Sequence, residues 1–270
     1  MELIAAKSIE AINTYSLQSA NVFLHCMRRK KYLKSILLNH AFIPRYNIEN
    51  IDYLHLKGYD RIAIPMTCFC DIFLNRLYPH MKNYGHYGIG LKKNSLIKNG
   101  LTPISYVNPI SFFTRDLSHT VQIAFDQLDG EDSDLYNEDF LNYQIHQLMY
   151  IKPLSGKMCI HKKIKDMNFH DECEWRYIPD MRCTDLWPLI INKDILLDKK
   201  QLNFYNTALA EYQAGWYKFS YDDIKYIIVD KEKNRNEFID FILNQLDITE
   251  MDKYRMISKI MTYEDLEGDF

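Results

Sequence analysis

Short strand-like runs and short helical runs interleave along this chain at irregular intervals, and that rhythm limits the fold more than any single motif. NVFLH (residues 21–25) predicts a strand. RRKKYLKSILLNH follows with Tyr32, Leu33, Ile36 and Leu37 at helical spacing. AFIPRYNIENI reads as irregular around Pro44, and RIAIPMTCFCDI (residues 61–72) as an alternating strand that Pro65 would push to an edge or bulge. A short helix before Gly85, a strand at HYGIGL, a helix ending at Gly100 and a strand at ISYV come next. Residues 110–150 read as mainly helical around an acidic DGEDSD loop, the best candidate for an insertion. Strands return at MYIKPL and EWRYIP, and KYIIVD precedes the amphipathic run NRNEFIDFILNQL. No clean βαβ period emerges, so the expectation is an α+β fold forming a single domain over residues 1–270.

At 270 residues the chain can bury a full core. Aromatic residues make up 14%, against 9 Gly and 8 Pro, which favours ordered aromatic packing over linkers. A formal charge of −3 provides no global footprint for nucleic acid, so any such binding must come from a local patch. The six cysteines lack the regular spacing of a disulfide scaffold. No basic, then apolar, leader opens the chain, and no apolar run approaches the ~20 residues of a membrane span. The expectation is a cytoplasmic protein with no membrane association.

The candidate site is FHDECEWRYIPD. In a strand, Glu172 and Glu174 would share one face roughly 6.6 Å apart, with Cys173 and Trp175 turned toward the core. Such a pair suits a catalytic carboxylate, Glu174, with a helper, Glu172, that positions an acceptor. The other reading is a solvated acidic edge partnered by Arg176 or a neighbouring Lys. His25, at a strand end, could donate to a sugar hydroxyl or a phosphate, although a lone His in an apolar run is more often structural. Arg28 to Lys31 could attract phosphate, although such a run is more often the wet face of a helix. Cys68 and Cys70, with His80 and His86 beyond, form a C-x-C pair outside the usual zinc spacing, so no structural metal is expected there.

Several blocks together, YLKSILLNHAFIPRYNIENI, IAIPMTCFCDI, YGHYGIGLKKNSLIKNGLTPISYV and DECEWRYIP, resemble the AbiGi family, a component of bacterial abortive phage-infection systems. The resemblance covers about half of the chain and implies phage defence by a component labelled an antitoxin. A fainter likeness is to the DarT-like ADP-ribosyltransferases, and it implies a split sheet with surrounding helices, from which the helical insertion at about 110–150 departs. It also implies NAD as substrate, with His25 at the adenosine-side ribose or phosphates and Tyr87 or Tyr84 stacked on nicotinamide. Glu174 would hold the nicotinamide ribose, and Arg45 and Tyr46 would lie on a closing loop. A carboxylate there would stabilise an oxocarbenium-like centre. Two functions follow from the resemblances. One is a NAD-dependent toxin modifying nucleic acid or protein. The other is a non-catalytic antitoxin that binds a cognate toxin.

Overall fold

The computed structural model describes residues 19–129, 138–160, 163–182 and 184–269. DGEDSD, the first 18 residues and Cys183 therefore lie wholly or largely outside the described residues. In chain order the chain forms β1 (Val22–Met27), α1 (Lys30–Asn39), β2 (Ala41–Phe42), β3 (Arg45–Asn50), β4 (Arg61–Cys70) and α2 (Leu77–Tyr84). Then come β5 (Tyr87–Lys92), α3 (Lys93–Lys98), β6 (Thr102–Pro103), β7 (Ser105–Val107), α4 (Phe112–Asp129) and α5 (Glu138–Met149). β8 (Ile151–Pro153), β9 (Ser155–Ile160), β10 (Lys163–Asn168), β11 (Glu174–Tyr177), α6 (Lys193–Leu197) and α7 (Lys199–Glu211) follow. The chain continues through β12 (Tyr217–Lys218), β13 (Ile224–Val229), α8 (Glu232–Gln245), α9 (Glu250–Ile257), β14 (Ile260–Thr262) and α10 (Tyr263–Asp269). The mixed α+β class expected from the sequence is observed.

Chain contacts group these elements into two compact units. One holds the segment up to Leu33, Asp71–Asn99 and Ser220–Phe270. Its strands run in the order β14, β13, β5, β1, antiparallel except for the β13–β14 pair. A parallel pair needs a long crossover, and α8 and α9 supply it. α8 is held by Phe238, Phe241 and Ile242, buried at the i, i+3, i+4 spacing read from the sequence. α2 ends at Gly85, whose φ of 130° is closed to L side chains, and a Cβ there would stand 2.3 Å from the Met27 backbone. In YGIGL, a Cβ on Gly90 would come within 3.0 Å of Leu24 and 3.1 Å of Tyr226. That glycine gives room for strand packing.

The other unit holds Lys34–Cys70 and Gly100–Phe219. β3 and β11 both pair with β4, and β6 pairs with β11, all antiparallel. Three sequence readings change here. AFIPRYNIENI is not irregular: Pro44 separates two strands. β4 is buried on both faces, not alternately. Pro65 sits inside it opposite Tyr46, in a pair where Tyr46 turns its N–H away, to Asn206 Oδ1 at 2.8 Å. Two residues earlier Ala63 donates to Ile190 on the side away from β3, so the ladder to β3 does not need the N–H that Pro65 lacks.

The third change concerns residues 110–150. β7 and β8 pair in parallel, and α4 with α5 is the crossover that this pairing requires. Val121, Ala124 and Phe125 from α4, and Leu141, Ile145 and Leu148 from α5, are buried with Ile62 and Ile64 of β4 in one apolar cluster. This segment is part of the core rather than an appendage. The high aromatic content has its own place in this unit: Phe42 meets Phe69 edge-on at 4.9 Å, and Tyr217, Phe219 and Tyr177 extend the group.

A buried charge cluster as the candidate functional site

Glu172 and Glu174 do converge, though not as strand neighbours. Glu172 closes a 3-10 turn, Phe169–Glu172, and Cys173 adopts a left-handed φ of 44° before β11 begins at Glu174. The expected parity is also reversed. Glu174 and Arg176 face inward, whereas Cys173 is exposed and Trp175 half-buried. A chain can bury such residues only by pairing their charges.

Arg176 is fully buried, at 0% exposure, and is the centre of the cluster. Its Nε donates to Glu174 Oε1 at 2.7 Å and its Nη2 to Glu174 Oε2 at 3.4 Å, a two-pronged grip. Nη1 donates to the Met149 carbonyl at 2.7 Å, and Nη2 lies 3.3 Å from Glu49 Oε1. Lys152 Nζ donates to Glu172 Oε2 at 2.7 Å and Glu174 Oε2 at 3.2 Å, and rests 4.6 Å over the Phe169 ring. The Glu174 backbone N–H donates to the Tyr106 hydroxyl at 2.8 Å. Strands β3, β8 and β11 and the end of α5 each contribute a group.

The electrostatics follow from this geometry. Burial alone would raise the Glu174 pKa, but the guanidinium and Lys152 outweigh it and hold the carboxyl well below the usual range. Burial would likewise lower Arg176, and Glu174 and Glu49 reverse that. Glu49 meets the guanidinium at Nη2, which Glu174 also holds, and burial outweighs the pull of Arg176 and Lys152 and raises its pKa. Burial also pushes up the Cys68 thiol, which hydrogen-bonds Glu174. A general base works best with a pKa near the working pH, and an electrostatic catalyst needs a field that is not already cancelled. Glu174, held low, shares its charge with both Arg176 and Lys152.

The other residues read from the sequence are placed as follows. His25 lies in β1 opposite Ile89, and Tyr87 in β5, buried, with its hydroxyl accepting from Asn234 Nδ2 at 3.0 Å. Tyr84 is not on a strand: it ends α2 and stacks on His80 at 4.5 Å. All three belong to the unit that does not contain the glutamates. Arg45 and Tyr46 form no closing loop. Both lie in β3, Arg45 exposed and Tyr46 buried, with its hydroxyl donating to the Trp187 carbonyl. Arg28 donates to the Asn83 carbonyl at 3.2 Å and Lys30 pairs with Glu237 at 2.5 Å, so half of the basic run is tied to protein groups. Lys152, Glu49 and Tyr106 were missed as members of the site, and Arg176 was read only as the partner of a solvated edge. A Lys flanked by Ile151 and Pro153 in a buried strand was the one available signal. No helix among the described residues is long and apolar enough to cross a membrane.

No solved structure matches this chain. Residues 40–230 match the family model of AbiGi, described as an abortive phage resistance protein and antitoxin. The Abortive phage resistance protein AbiGi of Lactococcus lactis subsp. cremoris is 35% identical over 253 residues, covering 85% of this chain and 100% of that protein. This chain belongs to the AbiGi family of abortive phage resistance proteins.

Proposed function

We propose that this protein acts as an antitoxin, a non-catalytic binding module that neutralises a cognate toxin within an abortive-infection system. The observation that carries the reading is the state of Glu174. The carboxylate most suited to catalysis is gripped by Arg176 and Lys152, with its charge spent on a buried network. The family description as an antitoxin supports the same conclusion. A NAD-dependent ADP-ribosyltransferase on a split sheet would instead need this carboxylate open to a ribose, with its field uncancelled. In a binding module the cluster's task is rigidity, locking its strands and a helix end beneath whatever surface meets the partner.

The test is co-expression with the toxin of the same system. Wild type should restore growth, and the purified proteins should form a complex. Growth arrest by this protein alone, abolished by Glu174→Gln and accompanied by NAD consumption, would replace the antitoxin reading with the transferase one.

A further inference from the structure

A groove on the Lys34–Cys70/Gly100–Phe219 unit is lined by none of the cluster's charged residues, although Tyr53 in its wall feels the charges of Glu49 and Arg176. It encloses about 450 Å³ between the Tyr53–Leu56 segment and the start of α4. Its walls are apolar at Leu54, Leu56, Ile110 and Phe112, and Arg115 and His119 stand beside them. No Asp or Glu lines it among the described residues. Three of its other polar side chains are engaged within the protein. The Ser118 hydroxyl donates to the Thr114 carbonyl at 2.7 Å, the Ser111 hydroxyl meets that of Thr114 at 3.0 Å, and Gln122 accepts from the Lys57 N–H at 2.6 Å.

The rim is unusual. Ile110 is 92% exposed, Phe112 75% and Phe113 59%. Such side chains on a loose loop would mean little, but this turn is pinned. Asn108 Oδ1 accepts the Ile110 N–H at 3.2 Å, and the Asn108 carbonyl accepts both the Ser111 N–H at 3.0 Å and the Thr114 hydroxyl at 2.7 Å. Ser111 then caps α4 through the Thr114 N–H at 3.1 Å. Large apolar groups held out on a pinned turn leave little backbone entropy to be lost on binding. Phe113, exposed next to Phe112 but outside the groove's lining, adds apolar surface beyond the cavity, which points to a protein partner.

Resting on the antitoxin reading, we infer that this groove docks an apolar segment of the cognate toxin that also carries carboxylates. Ile110 and Phe112 are its anchors, Arg115 supplies the charge complement, and His119 offers a hydrogen-bonding side chain beside it. Arg115 lies 4.8 Å over the Phe112 ring, and its ion pair with Asp116 at 3.7 Å is a surface contact of little strength. The guanidinium is thus placed to meet an incoming carboxylate without surrendering a buried partner.

The experiment is calorimetric titration of the purified toxin into the full chain, with thermal melts and light scattering on every variant. Ile110→Asp/Phe112→Ser should melt as wild type does and bind about 100-fold more weakly, as loss of interface anchors does. Arg115→Glu should weaken binding about tenfold and reduce its sensitivity to salt. Phe204→Ser, an equally exposed aromatic on α7 of the same unit, should bind as wild type does. Wild-type binding that survives both groove variants within twofold would overturn the groove while leaving the antitoxin reading intact. A wild type that binds no toxin would sink that reading and the inference with it. A homodimer lost only in the groove variants, with toxin binding unchanged, would assign the groove to a second copy and overturn the inference.

Discussion

At the scale of single residues, Arg176 carries the most consequence. Removing one partner of a buried ion pair strands the other charge, which costs about 3–5 kcal/mol. Arg176→Met should therefore lower unfolding free energy by about that amount in chemical denaturation, because Glu174 and Glu49 both lose their cation. Glu174→Gln keeps the shape and removes one charge of several, so it should cost less, about 1–3 kcal/mol. Replacing both, as Glu174→Leu/Arg176→Met, should recover part of the loss, since well-packed apolar pairs often match buried ion pairs. The pH dependence has a defined sign. A carboxylate with a depressed folded pKa contributes stability above its ordinary value of 4.5, and this is lost as pH falls below that value. Glu49, raised by burial, works the other way and favours the folded state as it takes up a proton. Stability measured from pH 7 down to pH 3 should fall in the wild type, and less steeply in Glu174→Gln. An unchanged slope would mean that Glu174 is not the group responsible.

At the scale of elements, the connections explain more than the strands. The helix pair α4 and α5 exists because β7 and β8 are parallel, and a short hairpin cannot join parallel strands. The junction of α2 and β5 turns on Gly85, which combines a φ of 130° with a backbone approach that no rotamer change can relieve. Gly85→Ala should therefore destabilise the protein by about 3 kcal/mol or more, through both strain and displacement of the Met27 backbone. A thermal melt reads this as a fall of roughly 6–12 °C. Gly58→Ala, also at positive φ but with nothing within 4 Å of a Cβ, isolates the strain and should cost only about 1 kcal/mol.

At the scale of the whole molecule, the prediction is a separation between fold and chemistry. If the charge cluster is a scaffold, Glu174→Gln protein that remains folded should neutralise the toxin in co-expression nearly as well as wild type does. Glu172→Gln should do the same, because Lys152 keeps Glu174 as a partner. A folded Glu174→Gln protein that has lost neutralisation would show that the carboxylate itself acts in function.

The α+β class, most helices and most strands were legible in the chain because they rest on local signals. Apolar spacing in NRNEFIDFILNQL, the stops at Gly85 and Gly100, and the Ile-rich run before Cys68 need no distant partner to be recognised. The pairing of Glu172 with Glu174 was also visible, as was Arg176 as a possible partner. The tertiary structure alone decided which way these side chains face. Strand parity is relative until a start point is known, and the left-handed Cys173 resets it between the two glutamates. Nor could local patterning place Lys152 against Glu172, 20 residues away, or Glu49 against Arg176, 127 residues away. Sequence supplied the charges, and burial decided that they must neutralise one another, because an unpaired charge in a low-dielectric interior is too costly to keep.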